Sequence, residues 1–99
     1  MFIAVIRLDM AIPGARSLKD RRQVVKSLKE RLISRFGVAC AEVGDRESWV
    51  RASLGITTVS AEREHLHELI AEIKRYVQQD PGALVGNIQE DIFNYGSET

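Results

Sequence analysis

Two stretches of this 99-residue chain repeat their apolar side chains at the spacing of an α-helix, and each is flanked on both sides by a run of β-type residues. That alternation constrains the fold more than any other feature, because it asks for two βαβ units in succession. The first helical stretch is SLKDRRQVVKSLKERLISRF, residues 17–36, in which Leu18, Val25, Leu28, Leu32 and Phe36 recur at intervals of three, four or seven. Ser17, followed three residues later by Asp20, resembles a capping box, and Gly37 supplies the expected stop. The second stretch carries Leu66, Leu69, Ile70, Ile73 and Val77 as its stripe. Ser60 is its expected cap, its early acids and late Lys74 and Arg75 suit the helix dipole, and Asp80-Pro81-Gly82 ends it.

Residues 2–8 (FIAVIRL) read as a first strand, closed by Pro13 and Gly14. Residues 38–43 (VACAEV) and 49–60 (WVRASLGITTVS) read as a hairpin across the polar turn GDRES, and 83–94 (ALVGNIQEDIFN) as a last strand. The order strand, helix, strand, strand, helix, strand is the split βαβ or ferredoxin-like arrangement. It is an α+β fold, βαββαβ. Right-handed crossovers put both helices on one face of a four-stranded antiparallel sheet. Residues 1–95 are expected to form this one domain and 96–99 a frayed tail. With 44% apolar residues, a chain of this length needs neither disulfides nor metal to hold a core. Its lone Cys40, inside an apolar run, is expected to be a small buried side chain in a reducing compartment. MFIAVIRLDM has neither the basic lead nor the length of a signal peptide or membrane helix, so a cytoplasmic protein is expected, with no membrane partner.

The formal charge is zero, yet residues 1–40 hold nine Lys or Arg against three acids (+6) and residues 41–99 five against eleven (−6). Seven of the fourteen cations lie in residues 17–36. At 100° per residue, Lys19, Arg22, Lys26 and Lys29 line one flank of that helix at spacings of three, four and three, with Arg31 and Arg35 on the other. Arg16, Ser17, Lys19 and Arg22 also surround the free N–H groups of the helix start, an arrangement suited to phosphate. The candidate nucleic-acid contacts are therefore Arg16, Ser17, Lys19, Arg22, Lys26 and Lys29. An alternative stands beside this one: a basic, solvated helix face whose Lys and Arg stems cover apolar edges. GARSLK lacks the spacing of a P-loop, so the sequence does not point to nucleotide hydrolysis.

Alternation in the strands sends Ile3, Val5, Arg7, Trp49, Arg51, Ser53, Gly55 and Thr57 to the helix-free face of the sheet, and Val50, Ala52, Leu54 and Ile56 to the helices. RNA-recognition modules of this topology stack bases on two or three exposed aromatics, and only Trp49 is a candidate. The face reads as too apolar to be plainly solvated, which favours a homodimer contact through Ile3, Val5, Arg7, Trp49 and Arg51.

No catalytic constellation is expected. His65 and His67 fall about 200° apart on their helix and cannot readily share a metal. Glu90 and Asp91 alternate faces, Glu42 is isolated in a strand, and no serine sits in a GxSxG elbow. No metal and no cofactor is expected. An enzyme remains a third reading, with a pocket joining Cys40, Glu42 or a histidine to the helix start as its signature.

SLKDRR (17–22), FGV (36–38), AEVGD (41–45) and WVRASLGI (49–56) together resemble the YlxP-like family of small bacterial proteins, a domain of unknown function. Arg21 stands where that pattern has Lys, keeping the charge, and its hairpin Glu and strand Trp correspond to Glu42 and Trp49. The resemblance implies a ferredoxin-like fold and, in many bacteria, a gene among those for translation initiation and ribosome maturation factors. It carries over no activity and no binding residue. The leading expectation is thus a non-enzymatic RNA-binding or ribosome-associated protein that touches phosphates through its first helix. The rival is a homodimeric interaction or regulatory module without nucleic-acid binding.

Overall fold

The structure, a computed structural model, describes residues 1–96; apart from Gly96, the expected tail at 96–99 lies outside the described residues. The elements follow the expected order: β1 (Phe2–Ala11), α1 (Leu18–Phe36), β2 (Ala39–Val43), β3 (Arg51–Ser60), α2 (Arg63–Gln78) and β4 (Leu84–Asn94). All sheet neighbours are antiparallel, in the order β2-β3-β1-β4. This is the ferredoxin-like α+β arrangement, with both crossover helices packed on one face.

The core follows from period-two strands meeting period-3.6 helices. Ala4, Ile6, Leu8 and Met10 of β1 and Ala52, Leu54 and Ile56 of β3 are buried against Val25, Leu28 and Leu32 of α1 and Leu66, Ile70, Ile73 and Val77 of α2. Each fully buried Leu or Ile contributes roughly 1.5–3 kcal/mol by leaving water. In α1 the Ser17 hydroxyl accepts the Asp20 N–H at 3.1 Å, and Gly37 stops the helix in the left-handed region (φ 65°) with its N–H on the Ile33 carbonyl. No helix among the described residues is long and apolar enough to cross a membrane.

Three boundaries and one register differ from expectation. β1 runs to Ala11, three residues past the expected end at Leu8, because Asp9, Met10 and Ala11 continue the ladder with β3 opposite Ser53, Ala52 and Arg51. β3 begins at Arg51, two residues late, because the Ser48 side chain accepts the N–H groups of Val50 (3.3 Å) and Arg51 (3.1 Å) and folds Trp49 and Val50 into a bend. Val50, expected to face the helices, is 48% exposed. α2 begins at Arg63 with Glu62 as a cap that makes no side-chain bond; Ser60 instead accepts the Glu62 N–H at 3.0 Å, forming a local turn ahead of the helix. In β4 the register slips between Asp9 and Met10, so Asn87 pairs with Asp9 but Val85 with Met10. Gly86 is the extra residue of this bulge, which lets both Val85 and Ile88 reach the core side although three residues separate them.

Candidate functional site

Burial of Val25, Leu28 and Leu32 fixes the rotation of α1, and rotation decides which cations meet water. Lys19, Arg22 and Lys26 are exposed and Lys29 is half-buried, so the expected row is present along one flank. Among the described residues no ion pair engages Lys19, Arg22 or Lys29; Lys26 has Glu30 at 3.9 Å, both largely in solvent. A pair of that kind contributes little. The helix start is different. The Asp20 carboxylate accepts the Arg16 N–H at 3.1 Å while Ser17 accepts from Asp20, so the chain's own anion already occupies the positive end of α1. Of the expected contacts, Lys19, Arg22, Lys26 and Lys29 remain open, while Ser17 and the Arg16 backbone are engaged in capping.

Arg21 is assigned to neither flank by the sequence. It carries a formal charge, yet it is fully buried. Its Nε donates to the Arg51 carbonyl at 2.9 Å and its Nη2 to the Asp45 carbonyl at 3.3 Å. Nη2 also lies 2.6 Å from Glu42 Oε1, a strong charge pair whose angles are not those of a hydrogen bond, which leaves Glu42 Oε1 and Arg21 Nη1 without hydrogen-bond partners. The signal was present in the sequence: Arg21 sits on the apolar stripe midway between Leu18 and Val25, where a helix of this period buries its side chain.

Above Arg21 a cleft of about 390 Å³ opens between α1 and the β2–β3 loop. Arg22, Lys26 and Lys29 form its helix wall, Glu42 its base, and Arg46 and Glu47 its loop wall. Glu42 thus does share a pocket with Arg22 of the helix start, as the enzyme reading asked, although its carboxylate is held by Arg21 and, among the described residues, neither Cys40 nor a histidine lines the pocket. Nothing local in GDRES could have linked Arg46 to a helix some twenty residues earlier. On the opposite flank of α1, Arg31 is drawn inward: its Nη2 donates to the buried Asp80 at 2.7 Å and its Nη1 to the Tyr76 hydroxyl at 3.0 Å. The Asp80 bond, then Tyr76, raise the Arg31 pKa above its ordinary value. The Arg35 guanidinium lies 5.0 Å from the Tyr76 ring centroid.

The helix-free sheet face holds Ile3, Val5 and Arg7 as expected, with Arg51 exposed at its rim; Trp49 lies in the bend ahead of β3, where strand alternation does not apply. The face is not uniformly apolar. Val5, Val59 and Phe93 are exposed around Ile3 at one end, but the middle is polar. There Asp9 accepts from Ser53 Oγ (2.6 Å), Asn87 Nδ2 (3.1 Å) and Arg7 Nε (3.1 Å). The Ser53 and Asn87 bonds, more than Arg7, hold the Asp9 carboxyl below the usual range. Gly44 (φ 74°) lets the loop pass Arg7 closely: a Cβ there would meet the guanidinium at 3.2 Å. An open cleft of about 710 Å³ runs from this network to Arg51 and Leu84. Asp9, Ser53 and Asn87 converge only through strand pairing, and sequence reasoning did not bring them together.

Cys40, half-buried beside Ile56, has its thiol pushed up to about 11 by burial, with Lys29 opposing. A thiol so disposed is a poor nucleophile near neutrality. His65 and His67 are exposed on α2.

Residues 3–90 match the family model described as "Protein of unknown function (DUF503)". The uncharacterized protein YlxP of Bacillus subtilis (strain 168) is 29% identical over 79 residues, spanning 80% of this chain and 86% of its own length. Among solved structures, the de novo designed protein Foldit4 superposes with a TM-score of 0.52 at 13% identity, covering 95% of this chain and 99% of the other, a likeness of fold alone. With the family model spanning nearly the whole sheet-and-helix unit and the resemblance read from SLKDRR and AEVGD pointing the same way, the chain belongs to the DUF503, YlxP-like family of proteins of unknown function.

Proposed function

We propose that this protein binds the phosphate backbone of structured RNA, free or within the ribosome, through the outer flank of α1, and catalyses no reaction. One observation carries the reading: Lys19, Arg22, Lys26 and Lys29 lie in a row on a capped, core-packed helix without strong carboxylate partners, although the chain as a whole is neutral. Such a row attracts a polyanion by releasing its counterions, without reading bases. The test is sedimentation of the protein with ribosomal subunits, or with a structured RNA, between 50 and 200 mM salt. Retention falling steeply with salt, and lost in K19E/R22E/K26E, supports the reading; salt-independent retention, or retention unchanged in that variant, removes it.

Self-association is a second reading, favoured by the exposed apolar end of the sheet face around Val5, Val59 and Phe93. It is checked by the sedimentation mass of wild type and Val5→Asp, with a monomer in both counting against it.

A further inference from the structure

We propose that the unit recognised is a single phosphoryl group seated in the cleft between α1 and the β2–β3 loop, with Arg46 opposing Arg22, Lys26 and Lys29 across it. The inference rests on the phosphate-backbone reading above and narrows it from a helix face to a two-walled site.

Charge is the first reason. Five cationic side chains (Arg21, Arg22, Lys26, Lys29, Arg46) line the cleft against two carboxylates (Glu42, Glu47), a surplus of three. Glu42 is already held by Arg21 at 2.6 Å, so the cations nearer solvent face only Glu47 within the cleft. Arg21 is the second reason. It is fully buried, its charge is paired with Glu42, and its Nη1 has no hydrogen-bond partner, so an unused guanidinium N–H donor lies at the cleft base beside an equally unbonded Glu42 Oε1. Water screens the surface cations above less strongly against this buried wall than in the open. A low-dielectric wall of this kind focuses field into the cavity above it.

The lining also selects the chemistry of the ligand. Val25 is its one apolar side chain and no aromatic ring takes part among the described residues, so the lining offers charge in place of an aromatic stacking platform. Guanidinium and ammonium groups from two walls suit a tetrahedral anion with several acceptor oxygens better than a planar carboxylate, which one arginine fork satisfies. Arg21 is a positioning residue here. By holding the Asp45 carbonyl and Glu42 together, it sets the loop wall against the helix before any ligand arrives.

The decisive comparison is between Arg46→Glu, which alters the cleft but not the helix row, and Lys19→Glu, which alters the row but does not line the cleft. Both positions are exposed, and thermal unfolding serves as the control for folding. Binding of a labelled RNA hairpin is measured from 50 to 200 mM salt, and inorganic phosphate is titrated separately while backbone amides are followed by NMR. The expected result is a loss of about tenfold or more in RNA affinity for R46E, with a salt slope shallower by about 1, and a change of about threefold or less for K19E. Phosphate should shift the amides of Arg22, Arg46 and Glu47 in wild type and leave them unmoved in R46E. If R46E binds RNA like wild type while K19E/R22E/K26E does not, the cleft is wrong and the broader phosphate reading survives. If none of these variants changes RNA binding and phosphate shifts nothing, both fall. Phosphate shifts centred on Arg46 without any RNA binding uphold the cleft, assign it to a free phosphorylated small molecule, and overturn the RNA reading.

Discussion

The two flanks of α1 are both basic in sequence and opposite in use. On the side toward α2, Arg31 and Arg35 are spent on Asp80 and the ring of Tyr76 and serve to dock one helix on its neighbour. On the side toward the β2–β3 loop, Arg22, Lys26 and Lys29 are left to solvent, with Arg21 beneath them as a buried brace. The difference teaches that a count of charges along a helix overstates what is available to a partner: three of the seven cations in residues 17–36 hold the fold together, and only Lys19, Arg22, Lys26 and Lys29 remain for binding.

The contrast breaks most readily at the brace. Glu42→Gln leaves Arg21 buried without its counter-charge and should cost about 3 kcal/mol or more. For a domain of this size that is a fall of more than 10 °C, roughly, in Tm. A loss under about 1 kcal/mol in urea denaturation would contradict the buried-pair account. Asp80→Asn, on the other flank, should cost about 1–3 kcal/mol by removing the charge that Arg31 and the Gly82 N–H rely on. It should leave RNA retention unchanged, since that flank takes no part in binding. The triple reversal K19E/R22E/K26E should abolish retention yet move stability by only about 0.5 kcal/mol, as exposed positions do. A large destabilisation would mean that these side chains are structural after all.

An effect absent near neutrality and confined to alkaline pH lies on β2 at Cys40. Its folded pKa of about 11 stands above the value near 8.5 of an unfolded thiol, so the contribution is whole below about pH 8.5 and is lost as pH rises toward 11. Stability measured over that interval should fall less in Cys40→Ala than in wild type. Alkylation at pH 8 should be slower than that of a free thiol and should accelerate as the pH approaches 11.

Much of the fold could be read locally. The 3.6-residue stripe in α1, its Ser17 cap and its Gly37 stop each act through neighbours within a turn, and the alternation Ala4, Ile6, Leu8 names the buried side of β1. The end of β1 reads three residues short because its pairing with β3 outruns the apolar run, and the misread starts of β3 and α2 are those where a side chain competes with secondary structure. Ser48 captures two backbone N–H groups that a strand reading had assigned to the ladder, and Ser60 captures one that a helix reading had assigned to a cap. The bulge at Gly86 was equally hidden, because it is a property of the pairing with β1 and not of β4 alone.

The sequence by itself determined the order of elements, the handedness of their crossovers and hence the ferredoxin-like sheet, because hydrophobic period and chain chirality act over short distances. It also determined that a row of cations would run along α1. Tertiary structure alone decided which of those cations are free, since that depends on Glu42 and Asp80 arriving from 21 and 49 residues away. It alone brought Arg46 opposite the helix and gathered Ser53, Asn87 and Arg7 on Asp9. Electrostatic and hydrogen-bond partners are set by distance in space, and the spacing of residues along the chain does not encode that distance until the strands are paired.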